Sequence, residues 1–178
     1  MQKEFVMIEK LSSEKITEML GKKVENRRWR DNIDRPFTDF TAVNEISYTN
    51  WHCGTLNYCK FSGIAFKNVD FSRAELRYAD FQDCIFENCR FERSEVQFAN
   101  FSSAKFTDCI MEASLQYANF AQCSMVSCMF GNSDVAFANL GECTFENCEA
   151  LSIEHLNLAN LPTSLIGLNF DREQYCDL

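Results

Sequence analysis

Several features that mark common protein classes are missing from this 178-residue chain. It has no apolar run approaching 18 residues, so we predict that no part of it spans a membrane. The apolar run nearest the N-terminus is the tetrapeptide FVMI, bracketed by charged residues, and this argues against a signal peptide. Only two prolines and six glycines occur, which argues against a disordered chain.

The residue patterns of catalytic and metal sites are missing too. The two histidines, His52 and His155, lie far apart, and no serine or cysteine nucleophile has a supporting base nearby in sequence. There is no glycine-rich phosphate loop and no HExxH motif. The ten cysteines include no C-x-x-C pair, the usual spacing of zinc ligands. We therefore predict no enzymatic activity, no metal and no cofactor.

Basic residues are scarce. There are 17 Lys and Arg against 26 Asp and Glu, a net charge of −9, which argues against direct binding of nucleic acid. No Lys or Arg occurs between Lys105 and Arg172, so the C-terminal half is predicted to be uniformly negative. The predicted acidic surface consists of Glu75, Glu95, Asp108, Glu112, Asp134, Glu142, Glu146 and Glu149. The alternative is a solvated surface that contributes only solubility.

What the chain does contain is a repeat. YADF at 78–81 returns as FANF at 98–101, YANF at 117–120, FANL at 137–140 and LANL at 158–161, at spacings of 20, 19, 20 and 21. Bulky apolar residues recur at every fifth position from Phe61 to Met111 and, after the loss of one residue, from Leu115 to Phe145. A period of five fits neither a helix nor a plain strand, whereas a fixed internal period is typical of a solenoid. The twenty-residue super-period predicts four walls in each coil.

This A-[DN]-[LF]-x-x pattern, over about residues 37–161, resembles the pentapeptide-repeat proteins. The resemblance implies an all-β fold, a right-handed quadrilateral β-helix, in which the central residue of each five and the residue two before it point inward. We interpret the slip after Met111 as a tightened corner and an extra residue near Ala150–Leu151 as a bulged one. Residues 1–36 are predicted to be a helical or capping segment, 37–161 the β-helix, and 162–178 a cap or dimer-contact tail.

The predicted interior contains a ladder of phenylalanines and cysteines. These residues are Phe81, Phe86, Phe91, Phe101, Phe106, Phe120, Phe130, Phe145, Cys89, Cys109, Cys128 and Cys148. We interpret the cysteines as slightly larger alanines, buried, inert and reduced in the cytoplasm, with metal or redox chemistry as the alternative. Asp80, Asn100, Asn119, Asn139 and Asn160 form a second column, predicted to bond backbone groups at the corners.

One outward column is apolar, whereas the equivalent columns on the other walls hold polar or small residues. It consists of Tyr58, Tyr78, Phe98, Tyr117, Phe137 and Leu158, and we call it the aromatic wall. Because each aromatic side chain can bury about 150–250 Å², six of them would exceed the apolar patch that a soluble monomer normally exposes. Three explanations stay open: the stacked rings shield one another, the N-terminal segment docks on them, or a second subunit covers them.

The segments outside the repeat carry weaker signals. Ile16, Met19 and Leu20 share one face of a predicted helix that Ser13 begins and Gly21 ends, and it caps the first coil or lies along the aromatic wall. The basic stretch KKVENRRWR at 22–30 is interpreted as a linker, with a nucleic-acid patch as the alternative. In the C-terminal tail, apolar residues such as Ile166 and Leu168 without repeat spacing form a cap or an end-to-end dimer contact, as in related family members.

Two functions follow as hypotheses. The first is a non-enzymatic scaffold that binds a protein partner, or a second copy of itself, through the aromatic wall. The second comes from the resemblance, since the family includes the quinolone-resistance proteins, acidic rod-shaped dimers that mimic DNA and bind DNA gyrase or topoisomerase IV. The chain departs from the Qnr type because its coils contain no long loop insertions.

Overall fold

The computed structural model describes residues 8–21, 33–150, 152–154, 159–162 and 166–170. It contains one helix and a series of very short strands. In chain order these are β1 (Glu9–Lys10), α1 (Ser13–Gly21), β2 (Thr38–Asp39), β3 (Glu45–Ser47), β4 (Ala65–Lys67), β5 (Ile85–Glu87), β6 (Lys105–Thr107), β7 (Ser124–Val126), β8 (Asn132–Asp134), β9 (Thr144–Glu146), β10 (Cys148–Ala150), β11 (Ser152–Glu154) and β12 (Leu168–Phe170).

The strands stack as the rungs of a parallel solenoid. Six of them form one sheet in the order β3-β4-β5-β6-β7-β9. Phe66 lies opposite Phe86, and Phe86 opposite Phe106, so each coil places a residue above the one twenty positions earlier. Isolated parallel bridges continue the same pairing on the other walls, for example Asp80 with Asn100. The predicted β-solenoid with a short N-terminal helix is thereby confirmed.

The corners explain why the period is five. The last residue of most five-residue units has a left-handed backbone, with φ values such as 60° at Tyr78, 58° at Asp83 and 52° at Asn88. This conformation turns the chain sharply, so that the next wall begins at once. At many corners the amide three residues after the bulky central residue also donates to that residue's carbonyl, as in Cys84 N to Phe81 O at 3.2 Å. Each five-residue unit therefore ends in one corner residue whose side chain points outward.

The interior is built from stacked rings. Phe61, Phe81, Phe101 and Phe120 form one column with centroids 4.8–4.9 Å apart. Phe66, Phe86 and Phe106 form a second, and neighbouring columns meet edge to face, as for Phe81 and Phe86 at 5.6 Å. Every phenylalanine of the predicted ladder is buried. Stacked and edge-to-face arrangements are the ones that aromatic quadrupoles favour, so the columns add to simple burial.

The register shows where the repeat is irregular. The coil offset falls from 20 to 19 residues between the pairs Phe86–Phe106 and Phe106–Met125, and the missing residue is the corner one between Met111 and Ser114. This agrees with the tightened corner. The extra residue near the C-terminal end was misplaced, because Glu154 still lies twenty residues above Asp134. Asn160 lies 21 above Asn139, so the extra residue falls after Glu154 and not at Ala150–Leu151.

The N-terminal residues lie against the first coil. Strand β1 pairs in parallel with β2, and Glu9 N donates to Phe37 O at 2.7 Å. Leu11 and Ile16 are buried in the same core as the phenylalanine columns, and Met19 and Leu20 pack against it. The helix face predicted from the sequence therefore contacts the end of the solenoid. The basic stretch 22–30 and the tail from 171 onward lie outside the described residues.

The column of Asp80, Asn100, Asn119, Asn139 and Asn160 forms a continuous hydrogen-bonded ladder. Each asparagine Nδ2 donates to the Oδ1 of the coil before it, at 2.6–3.1 Å. From Asp80 to Asn139, each Oδ1 also accepts the backbone amide two residues ahead, as in Ala121 N to Asn119 Oδ1 at 3.2 Å. The predicted bonding to the corner backbone is thus present. Asp80 lies at the end of the ladder where only an acceptor is required.

The direction of this ladder gives a testable difference between two isosteric changes. Asn119→Asp replaces the donor to Asn100 Oδ1 with a carboxylate oxygen, so we expect a loss of about 1–3 kcal/mol in the free energy of unfolding at pH 7. Asp80→Asn keeps the Oδ1 acceptor and faces its new donor toward the Ser62 hydroxyl, so we expect a change within about 0.5 kcal/mol. Urea unfolding of both variants measures the difference; equal losses would contradict it.

Candidate protein-binding surfaces

The residues predicted to form the aromatic wall are brought together as one ladder of rings. Tyr58, Tyr78, Phe98, Tyr117 and Phe137 stack with centroids 4.8–5.0 Å apart. The rings of the first four are within 6° of parallel, and the last pair within 17°. All five have left-handed φ values of 59–62°, so each projects outward from the same corner of successive coils. Leu158, predicted as the sixth member, lies outside the described residues.

Sequence reasoning missed Phe37, which extends the ladder in the other direction. Its ring stacks on Tyr58 with centroids 4.7 Å apart and planes within 5°. The offset of 21 residues from Phe37 to Tyr58 hides it from a twenty-residue search. The same offset separates the bridged pair Asp39 and Lys60. A search that allowed one extra residue in this coil would therefore have found Phe37.

Stacking covers part of each ring and leaves the edges open. The five rings from Tyr58 to Phe137 remain 42–54% exposed. At about 200 Å² for a whole aromatic side chain, their edges sum to about 500 Å². This area is smaller than that of six fully exposed rings. It is similar to the largest apolar patch on an ordinary monomer, which is often functional. Mutual shielding therefore accounts for about half of the aromatic area.

The described part of the N-terminal segment does not cover the wall. Residues 8–21 lie against the first coil, where Leu11 and Ile16 enter the core. The rings keep their exposure in the presence of these residues. Of the explanations left open by the sequence, docking of residues 8–21 on the wall is excluded.

The predicted acidic residues occupy outward positions but are not one continuous patch. Glu75 and Glu95 are bridged neighbours in one column, which Ser114 interrupts before Asp134. Glu95 pairs with Arg77 at 2.6 Å, and Glu75 accepts a hydrogen bond from Asn57 at 2.9 Å. Arg77 thus balances the charge of Glu95, whereas the amide of Asn57 leaves the charge of Glu75 in place. Asp108, Glu142, Glu146 and Glu149 are exposed on later coils.

The two halves of the rod differ in how their charge is balanced. Residues 37–105 hold nine acidic and seven basic residues, and ion pairs such as Lys67–Glu45 at 3.0 Å join some of them. The Lys67 ammonium holds the pKa of Glu45 below its usual value. Residues 106–170 hold seven acidic residues and no Lys or Arg. The excess of negative charge is therefore greatest in residues 106–170, whereas Glu75 and Glu95 lie in the half where basic residues are interspersed with acidic ones.

The ladder cysteines lie inside the tube as buried thiols. Cys89, Cys109, Cys128 and Cys148 are all fully buried or nearly so. Their relatives Cys84 and Cys123 lie 3.1 and 2.9 Å from the carbonyls of Phe61 and Phe101 in the preceding coil. Burial raises the pKa of the Cys59 and Cys84 thiols to about 12. The nine cysteines of the described ranges are free thiols, and no cluster of three or more metal-ligating side chains occurs there.

These thiols should be unreactive in the native protein. With a pKa of about 12, Cys84 is a thiolate in about one molecule in ten thousand at pH 8, and its sulfur is also screened from reagent. We expect iodoacetamide at pH 8 to label the partly exposed Cys53 first, and Cys59 and Cys84 only after unfolding in urea. Peptide mass spectrometry against time measures this. Native labelling of Cys84 as fast as Cys53 would contradict the burial argument.

Within the residues that the structure describes, no helix is long and apolar enough to cross a bilayer. Helix α1, at 9 residues, is less than half the required length.

Two family models match the repeat. A pentapeptide repeat region matches residues 79–157, and a model of eight pentapeptide repeats matches residues 55–93. No curated protein matches the chain. Solved structures with a similar fold include HetL, a pentapeptide repeat protein involved in heterocyst differentiation regulation from Nostoc sp. strain PCC 7120. It is 15% identical, with 80% of this chain and 68% of HetL covered and a TM-score of 0.42.

Two further structures are similar. A pentapeptide repeat protein from the Arabidopsis thaliana thylakoid lumen is 18% identical, covering 49% of this chain and 65% of that one, with a TM-score of 0.40. The plasmid-mediated fluoroquinolone resistance protein QnrB1 is 16% identical, covering 79% of this chain and 81% of that one, with a TM-score of 0.39. The repeat, the stacked coils and the matches at residues 55–157 agree: the chain belongs to the pentapeptide-repeat family.

Proposed function

We propose that the protein is a non-enzymatic scaffold that binds another protein chain along the aromatic wall, in a reducing compartment such as the cytoplasm. The observation that carries this proposal is the ladder of five rings from Tyr58 to Phe137, each 42–54% exposed and stacked along one corner of the rod. The ring edges supply apolar contact, and the tyrosine hydroxyls supply hydrogen bonds at the rim. Aromatic residues are enriched at protein interfaces for these reasons.

The wall is also preorganised. Each ring from Tyr58 to Tyr117 lies between two neighbours about 4.8 Å away, so its side-chain torsions are already restricted before a partner arrives. Binding therefore costs less side-chain entropy than it would for rings free in solvent. A rigid ladder of this kind favours recognition of a surface over enclosure of a small molecule.

A photo-crosslinker tests this function. p-Benzoylphenylalanine placed at Tyr117, in the centre of the wall, should give a crosslinked protein product in cells. The matched control is the same residue at Asn88, which has the same left-handed corner geometry with φ 52° on a different wall. A product from Tyr117 that is no more abundant than from Asn88 would end the proposal.

A second function rests on the charge asymmetry of the rod. The distal half has no basic residue among 106–170, and a rigid negative surface suits the DNA-binding saddle of a type II topoisomerase. We would titrate the protein into a DNA gyrase supercoiling assay, with and without a fluoroquinolone, at two salt concentrations. Salt-sensitive inhibition or relief of the drug effect is the expected result, and no effect up to tens of micromolar removes this candidate.

Matched charge reversals sharpen that assay. Glu142→Lys/Glu146→Lys changes two exposed acids in the distal half and should abolish any effect. Asp83→Lys/Glu87→Lys changes the exposed acids of the same two columns in the proximal half and should leave the effect largely intact. Equal losses from both pairs would show that total charge, not the distal surface, is responsible.

A further inference from the structure

One strip of the surface beside the aromatic wall is uncharged over three successive coils. The runs 97–102 (QFANFS), 116–121 (QYANFA) and 136–141 (AFANLG) contain no acidic and no basic residue. The bridges between Asn100, Asn119 and Asn139 place these runs directly above one another. We call this strip, which includes the rings of Phe98, Tyr117 and Phe137, the neutral face. The next two walls of the same coils carry charged residues, namely Lys105, Asp108, Glu146 and Glu149.

We infer that the neutral face binds a second copy of this chain, side by side and antiparallel, with the two-fold axis near Tyr117. This inference rests on the proposed function, because it names the partner of the same wall.

Charge is the first argument for this partner. Each copy carries a net charge of −9, so two copies repel unless they meet where the surface is uncharged. Side-by-side parallel copies would set the two cation-free distal halves next to each other. The antiparallel arrangement instead sets each distal half beside the coils that precede Tyr117, which carry basic residues such as Arg77. The charge distribution thus selects both the face and the direction.

The spacing of the rings is the second argument. The exposed rings repeat every 4.7–5.0 Å along the rod. A helix repeats at about 5.4 Å per turn and drifts by about 3 Å over five steps, and a strand lying along the ladder repeats same-face side chains at about 6.6 Å. A second solenoid has the same spacing, since strands in any sheet lie about 4.8 Å apart. Two copies can therefore interdigitate ring edges along the whole ladder.

The available area sets the expected strength. Ring edges of about 500 Å² on each copy give about 1,000 Å² in total, at the lower limit of specific interfaces. The small, uncharged Asn, Ser, Ala and Gly side chains beside the rings add further contact area around this apolar centre. A dimer that forms in the micromolar range is the expected result.

Sedimentation velocity of the full chain between about 1 and 500 µM tests the inference. We expect wild type to shift from monomer to dimer across this range. Ser102→Glu/Ala121→Glu puts two stacked acids on the neutral face and should weaken association at least about tenfold. The same column already holds Gln82, so it has room for a side chain of this length. Ser124→Glu/Thr144→Glu makes the same change at stacked positions on the next wall, in strands β7 and β9, and should leave association unchanged.

A mixing experiment ensures that the conclusion does not rest on one variant alone. Ser102→Lys/Ala121→Lys alone should also be monomeric, whereas an equimolar mixture with Ser102→Glu/Ala121→Glu should dimerise again, because the charged faces meet each other. Circular dichroism confirms that each variant is folded, and a failure of either to fold leaves the wild-type series and the other variant as the test. Wild type that stays monomeric to 500 µM overturns the inference.

Two other results would also overturn it. A dimer that the face variants do not weaken forms elsewhere, for instance through the tail 162–178. Equal weakening by the Ser124→Glu/Thr144→Glu pair would indicate a general charge effect. In each case a crosslink from Tyr117 to a different protein still supports the proposed function, so the two failures are distinguishable.

Discussion

Phe86→Ala should lower the free energy of unfolding by about 3–5 kcal/mol, the range for truncation of a fully buried phenylalanine. Phe86 is fully buried in the middle of the rod. Its ring stacks on Phe106 at 4.7 Å and Phe66 at 5.1 Å, and meets Phe91 and Phe81 edge to face at 5.4 and 5.6 Å. The rings above and below are fixed by the coil spacing, so they cannot close the cavity.

Phe98→Ala is the matched control, because this phenylalanine also stacks between two rings, at 4.9 and 4.8 Å, but faces outward. With 45% of it already exposed, we expect a loss of about 1–2 kcal/mol. Urea unfolding followed by circular dichroism gives both values. Losses of equal size would mean that ring stacking, and not burial, holds the coils together.

The contrast between these two positions follows from the repeat, which is why much of the fold was predictable. A period of five alternates inward and outward positions in a fixed order, so the burial of Phe86 and the exposure of Phe98 follow once the frame is set. Cys89 and Cys109 fall at small inward positions by the same count, and the structure buries both. Regular coils give each residue the surroundings of the one twenty positions earlier.

The irregular coils were less predictable, for a physical reason. One extra residue changes the count but leaves the hydrophobic pattern intact on either side, so the sequence shows that a coil is longer without showing where. For this reason Phe37 was missed, and the extra residue that lies beyond Glu154 was placed too early in the sequence. The partial neutralisation of Glu95 was also missed, because the ion pair with Arg77 joins positions 18 apart that only the coil brings together.

The aromatic wall also runs against local backbone preference. Its residues occupy left-handed corners with φ 59–62°, a conformation that Asn and Asp tolerate best; other corners use Asn88 and Asp83 but also Arg73 and Arg93. A bulky ring there has no local advantage and offsets its strain only by stacking on the next ring. A column of them on one corner supports the proposed binding surface.

Gly167→Ala should detach the last rung of the solenoid while leaving the earlier coils intact. Gly167 has φ +91°, and an added Cβ would lie 2.1 Å from the Phe145 carbonyl oxygen. The obstacle is backbone, so no side-chain rotation relieves it. Strand β12 must therefore leave β10, and the bond from Cys148 N to Gly167 O, 2.9 Å in the native fold, is lost.

Amide hydrogen exchange measures this loss residue by residue. The Cys148 amide should lose about two orders of magnitude in protection, whereas the Phe81 amide, which donates to Asn100 O at 2.7 Å, should keep its own, because each coil contacts only its neighbours. Gly63→Ala is the control: Gly63 has φ +76° but nothing within 4 Å of an added Cβ, so backbone strain of about 1 kcal/mol is the only cost. Unchanged protection at Cys148, or loss across all coils, would contradict a rung held by this single glycine.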